Sequence, residues 1–184
     1  MHGLPSGMAE SRSMILSKDE LIGLLGQEVR ILLHLAGKVD RAQLDYRPTP
    51  TQRTTLELLR YMAIMGPTQL GVITADAFNR AGLTAAWRSA EATSKAMTFD
   101  QAVAAIAAQA DEYARVLGAW ADADFRIEVD LFGTKATRAS LIVSQMLNGY
   151  AAYRTQLFCY LKSCGRDELS TVNLWAGVDA MKPA

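Results

Sequence analysis

An all-α fold is what this 184-residue chain predicts: a four-helix bundle with a long crossover between helices 2 and 3 and a short hairpin or extended arm before helix 4. Three observations carry it. Half the residues are hydrophobic, Ala and Leu dominate, and only five prolines interrupt them, which favours helix by intrinsic propensity. Four segments of similar length repeat their apolar residues at helical spacing. No strand run is long enough to build a core sheet.

Residues 1 to 16 mix Gly, Ser, Pro and Met without periodicity and are expected to form a loose tail, with a second short tail at 180–184. Residues 17–179 are expected to form a single domain, since a chain of this size buries roughly 70% of its unfolded surface without staples. Ser17 with Glu20 three residues later makes a capping box, and the helix it starts is expected to run to about Val39. Leu21, Leu25, Leu32, Leu35 and Val39 share one stripe, widened by Ile22, Val29 and Leu33 to an arc of roughly 200°. Gly23, Gln27, Arg30, His34 and Lys38 share the opposite side, so His34 is expected to face outward as a solvated or interface histidine.

Pro48 and Pro50 rule out a helix through YRPTPTQR, which reads as an extended connector. Thr54 or Thr55 then caps a second helix, whose Leu58, Leu59, Met62, Met65, Gln69 and Ile73 cluster on one face and in which Pro67 is expected to cause a bend. From Gly82 to about Thr98 the pattern fades into a crossover anchored by Trp87. Thr98 with Gln101 opens a third helix to about Ala121, with Phe99, Val103, Ile106, Ala110, Tyr113 and Leu117 at helical spacing. Next, Phe125, Ile127, Val129 and Leu131 alternate with Arg126, Glu128 and Asp130 before a turn at Gly133, the pattern of a hairpin or arm whose carboxylates form a solvated edge. The fourth helix is expected from about Thr137 to Gly165, followed by a segment anchored through Leu174 and Trp175.

Nineteen basic residues balance nineteen acidic ones, so no overall field attracts a polyanion, and no nucleic-acid partner is expected. No apolar run approaches the roughly 20 residues needed to span a bilayer, and the opening residues lack the apolar core of a secretion signal. No membrane association is expected, and the cytoplasm is the expected location. Cys159 and Cys164 lie about 140° apart around one helix and cannot bridge each other, so both read as buried thiols of a reducing compartment. The Met cluster of Met62, Met65 and Met146 falls at core spacing.

The runs RTTLELLRYMA (53–63), YAAYRTQLFCYLKSCG (150–165) and NLWAGVD (173–179) together resemble the DinB/YfiT-like four-helix bundles, over about residues 17–179. Members include divalent-metal-dependent thiol transferases. The resemblance implies a metal-binding His in helix 2 and a His-x3-His pair in helix 4, the second His followed by Arg-x-Gln-like residues. Arg154 and Gln156 match that trailing part, which puts the pair at Gly149 and Tyr153 and the helix-2 position at Tyr61. All three positions therefore carry other residues, and neither His2 nor His34 is placed to substitute. Neutral Tyr is a poor ligand for zinc or nickel and Gly offers no side chain, so no metal and no cofactor are expected.

What remains in this reading is a residual cleft of Tyr61, Gly149, Tyr153 and Arg154, with two roles open to the tyrosines: lining a ligand site, or filling the core with hydroxyls bonded locally. Arg154 either holds an anionic ligand or pairs with Glu57 or Asp76. The expected function is that of a DinB-like bundle without the metal-thiol chemistry, binding a small molecule in the cleft. Its alternatives are a transferase acting on a low-molecular-weight thiol and a helical interaction module in stress response. The resemblance and the wide arc of helix 1 also imply a homodimer.

Overall fold

The computed structural model describes residues 16–75, 80–131 and 133–181; His2, Asp76 and most of both expected tails lie outside them. Helix α1 (Lys18–Ala36), α2 (Thr55–Thr74), α3 (Arg80–Ser94) and α4 (Phe99–Gly118) lead to a hairpin of β1 (Glu128–Leu131) and β2 (Thr134–Thr137). After it come α5 (Arg138–Leu141), a π-helical turn (Ile142–Leu147), α6 (Asn148–Ser163) and α7 (Thr171–Ala176). The bundle is α1, α2, α4 and α6: α1 and α2 each pack against both α4 and α6. The fold class is thus all-α, as the apolar spacing predicts.

Local chemistry sets the helix starts. Ser17 with Glu20, Thr54 with Glu57 and Thr98 with Gln101 each form a reciprocal capping box, which satisfies two otherwise unpaired amides and contributes about 1 kcal/mol per cap. The first helix ends at Ala36 rather than near Val39, because Gly37 closes it. The crossover is a helix, α3, where a faded pattern suggested none; it lies against α2 with most of its residues exposed, so its apolar content is low. The alternating segment is the expected hairpin, paired Glu128 to Thr137 and Leu131 to Thr134, and turning through Gly133 at φ 86°.

Pro67 sits inside α2, which nevertheless continues to Thr74. Its ring supplies no amide for the carbonyl of Ala63, four residues earlier. That carbonyl is instead reached by Gln109 of α4, whose Nε2 donates to Ala63 O at 2.9 Å and Met62 O at 3.0 Å. The Gln109 Oε1 accepts in turn from the hydroxyls of Tyr113 and Tyr150, which touch each other. All three side chains are buried. Gly66 makes the cluster feasible, since a Cβ there would overlap both hydroxyls. Burial pushes both phenols well above the ordinary tyrosine range, so each keeps its proton.

The back of α1 is covered from within the chain. Gly177, in the left-handed region at φ 61°, lies so close to Ile31 that a Cβ would be 2.9 Å from the Ile31 Cα. Arg30 Nη1 donates to Ala176 O at 2.7 Å, and Lys38 Nζ is 2.6 Å from Asp179. His34 is therefore not outward in solvent: it contacts Asn173 Nδ2 at 3.0 Å beneath this segment. Asn173, buried, and half-buried Leu174 anchor the segment, whereas Trp175 is 66% exposed. The thiols also differ from expectation, because the turn of the helix puts Cys159 on the exposed side and Cys164 only partly under cover; both are free.

Candidate functional site

Tyr61 and Tyr153 occupy the second turns of α2 and α6, which face each other across the bundle. Their rings meet edge-on, with centroids 4.8 Å apart and planes at 62°. Trp87 of α3 stacks on Tyr61 at 5.8 Å and 14°, and the Arg53 guanidinium carbon lies 4.0 Å from the Tyr61 ring centroid. These contacts each contribute about 1 kcal/mol beyond burial. Burial, then the neighbouring Tyr153 phenol, raises Tyr61 above its ordinary range; it is neutral near pH 7 and offers a proton for a hydrogen bond rather than a phenolate.

Gly149 lies one turn before Tyr153 and is closed by α2. A Cβ built on it would stand 3.1 Å from Met65 Sδ and 3.2 Å from Met65 Cε, with Met65 itself fully buried. Gln69 Oε1 is buried 3.9 Å from the same point and accepts no hydrogen bond among the described residues. A π-helical turn precedes this position: the Asn148 amide donates to Val143 O, five residues back. Such a turn inserts one residue into the helical register. A fixed 100° spacing therefore does not carry across it; beyond it Tyr150 and Tyr160 are buried, while Tyr153 is only half-buried.

The donors gathered at the three positions are two phenols, a thioether and an amide oxygen, which do not suit a divalent transition metal. Among the described residues no three His, Cys, Asp or Glu side chains converge as a ligand set.

Arg154 does not join the two tyrosines. It is buried toward α1 and α7, with its Nε 3.0 Å from Glu28 Oε2 and its Nη1 donating to Leu174 O at 2.6 Å. Its partner is thus Glu28, not Glu57, while Asp76 lies outside the described residues. Glu57 instead caps α2 and lies 3.6 Å from Arg47. Burial raises the Glu28 carboxyl despite the nearby guanidinium, which acts the other way.

Space is found on a different side of Tyr61. A cavity of about 420 Å³ is lined there by Arg47, Arg53, Arg60, Tyr61, Glu91 and Lys95, among others. Arg60 Nε is held by Met97 O at 2.7 Å. The sequence reading did not collect these cations, although Arg53, Glu57 and Arg60 stand at i, i+4 and i+7 around the start of α2, a spacing that shares one side. A second cavity, about 470 Å³, lies at the other end of the bundle between Leu16, Leu21, Phe125 and Val143.

No helix among the described residues is long and apolar enough to cross a membrane. No family model matches the chain, and no curated protein matches it. Among solved structures it is similar to a DinB-like protein, YjoA of Bacillus subtilis, with a TM-score of 0.62 at 17% identity, over 82% of this chain and 94% of that chain. A likeness at that identity is one of fold, and this chain is built on the DinB-like helical bundle.

Proposed function

We propose that this chain is a DinB-type bundle in which aromatic packing stands where the family places its metal ligands, and that its small-molecule site is the cavity beside Tyr61. The observation that carries the reading is the edge-on contact of Tyr61 with Tyr153, together with the closing of Gly149 by Met65. A ring contact at 4.8 Å leaves no room for a ligand between the two tyrosines, so binding moves from the cleft to the open side of Tyr61. Arg154 then serves the fold by tying α6 to α1 and α7.

Chelation tests this. Thermal unfolding followed with and without EDTA gives the same midpoint if no metal supports the fold, and a midpoint several degrees lower in EDTA overturns the reading. Thiol transfer would need a space in which a thiol could reach the Tyr61 hydroxyl, and the edge-on contact of Tyr61 with Tyr153 fills the cleft between them; turnover across a panel of low-molecular-weight thiols and electrophiles, lost in Tyr61→Phe, restores that alternative. Homodimerisation rests on the family resemblance and the wide apolar arc of α1, while residues 171–179 of the same chain cover α1 on the side of Arg30, Ile31 and His34. Sedimentation as a monomer removes it.

A further inference from the structure

Resting on that reading for its location, we infer that the cavity beside Tyr61 binds a small organic dianion through the guanidinium groups of Arg53 and Arg60, with Lys95 closing the charge. Three observations combine. The lining sets four cationic heads, Arg47, Arg53, Arg60 and Lys95, against two carboxylates, Glu57 and Glu91, which leaves two positive charges in excess.

The second observation concerns which of those charges are already engaged. Glu57 is committed to the Thr54 amide and to Arg47. Arg53 sits over the Tyr61 ring, and its guanidinium makes no hydrogen bond or ion pair among the described residues; the Lys95 ammonium makes none either. Arg60 is oriented by its single bond to Met97 O, which leaves its terminal nitrogens free. Cations with hydrogen-bond capacity to spare, one anchored on a ring and one on a backbone carbonyl and both lining one cavity, suit the forked geometry of a carboxylate or phosphate.

Third, the cavity has the size of a metabolite site and a mixed wall. Tyr61 and Ile64 supply an apolar side for a short carbon skeleton. Glu91, also in the lining, favours a ligand that carries a hydroxyl or amine donor as well. Dicarboxylates and phosphate esters share this chemistry, and they are separated by the test.

The experiment is a titration of the whole protein with succinate in one arm and inorganic phosphate in the other, at low ionic strength, read by amide chemical shifts. Saturable binding in at least one arm is expected, with shifts confined to residues 47–64 and 91–97. Arg53→Gln weakens it at least ~10-fold with unchanged circular dichroism, while Lys135→Gln on the remote hairpin leaves it as it was. Shifts that do not saturate, that spread over all cationic surfaces, or that survive Arg53→Gln combined with Lys95→Gln overturn the inference. Metal content measured on the same sample judges the aromatic replacement separately, so either idea can fall while the other stands.

Discussion

Gly66→Ala is expected to destabilise the protein, although in a helix interior the same change ordinarily helps. Intrinsic propensity favours Ala over Gly by about 1 kcal/mol. Here the new methyl would sit inside the contact surface of the Tyr113 and Tyr150 hydroxyls, both backbone-proximal and fully buried. Overpacking of this kind costs about 2 kcal/mol, and pushing the phenols off Gln109 leaves a buried polar group without its partner for about 2 kcal/mol more. The balance is about 3 kcal/mol of lost stability, or roughly 10 °C in Tm for a chain of this size. Urea and thermal unfolding by circular dichroism measure it. In a background of Tyr113→Phe with Tyr150→Phe the cost of Gly66→Ala falls by more than half, because the hydroxyls it strikes are gone. A Gly66→Ala protein as stable as the parent, or more so, refutes the reasoning.

The same network makes Gln109→Leu costly by about 3 kcal/mol, and adding Pro67→Ala offsets part of the loss by giving the Ala63 carbonyl an amide of its own; urea unfolding of the two single variants and the pair checks this. Breaking the buried pair by Arg154→Met costs about 3 kcal/mol because Glu28 is left charged under cover, whereas Glu28→Gln with Arg154→Met recovers most of it; a double-mutant cycle in which the two losses simply add contradicts the pairing. For His34, burial and then Lys38 lower the pKa below 6.5, with Asp179 opposing them. The unfolded chain thus takes up this proton first as pH falls, and the folded state loses stability below about pH 6.5. In His34→Gln that part of the decline between about pH 7.5 and about pH 5.5 disappears, as urea midpoints at the two values reveal.

Much of the fold was legible because its signals are local. Ser17 and Thr98 each announced a helix start three residues ahead of a Glu or Gln and both boxes form, while of the two candidate caps Thr54 and Thr55 it is Thr54 that caps α2, in a third box with Glu57. The alternation from Phe125 to Leu131 likewise announced the hairpin. What escaped depends on contacts distant in sequence. Nothing near Ile31 says that Gly177 will cover it, and nothing near Arg154 selects Glu28. Exposed α3 offered little apolar content to read, since its main packing is on α2.

The candidate site was half legible. Tyr61 and Tyr153 do meet, and Gly149 lies beside them against Met65. Arg154 enters the group through its match to the family's trailing Arg-x-Gln, yet the residue after Tyr153 on a helix points about 100° away from it, and here that direction is α1 and α7. Gln109 stood in view on the apolar stripe of α4, three residues after Ile106 and four before Tyr113, and a polar residue at such a position needs a buried partner. The free carbonyl created by Pro67 was that partner.

Metal stoichiometry tests the central claim most directly. Protein purified without chelator, dialysed and analysed for zinc, nickel, iron and manganese should carry far less than one equivalent of any of them, because phenols, a thioether and an amide oxygen are what Tyr61, Tyr153, Met65 and Gln69 present around Gly149. On the order of one tightly held equivalent, lost together with stability on chelation, would contradict the claim that aromatic packing has taken the metal's place.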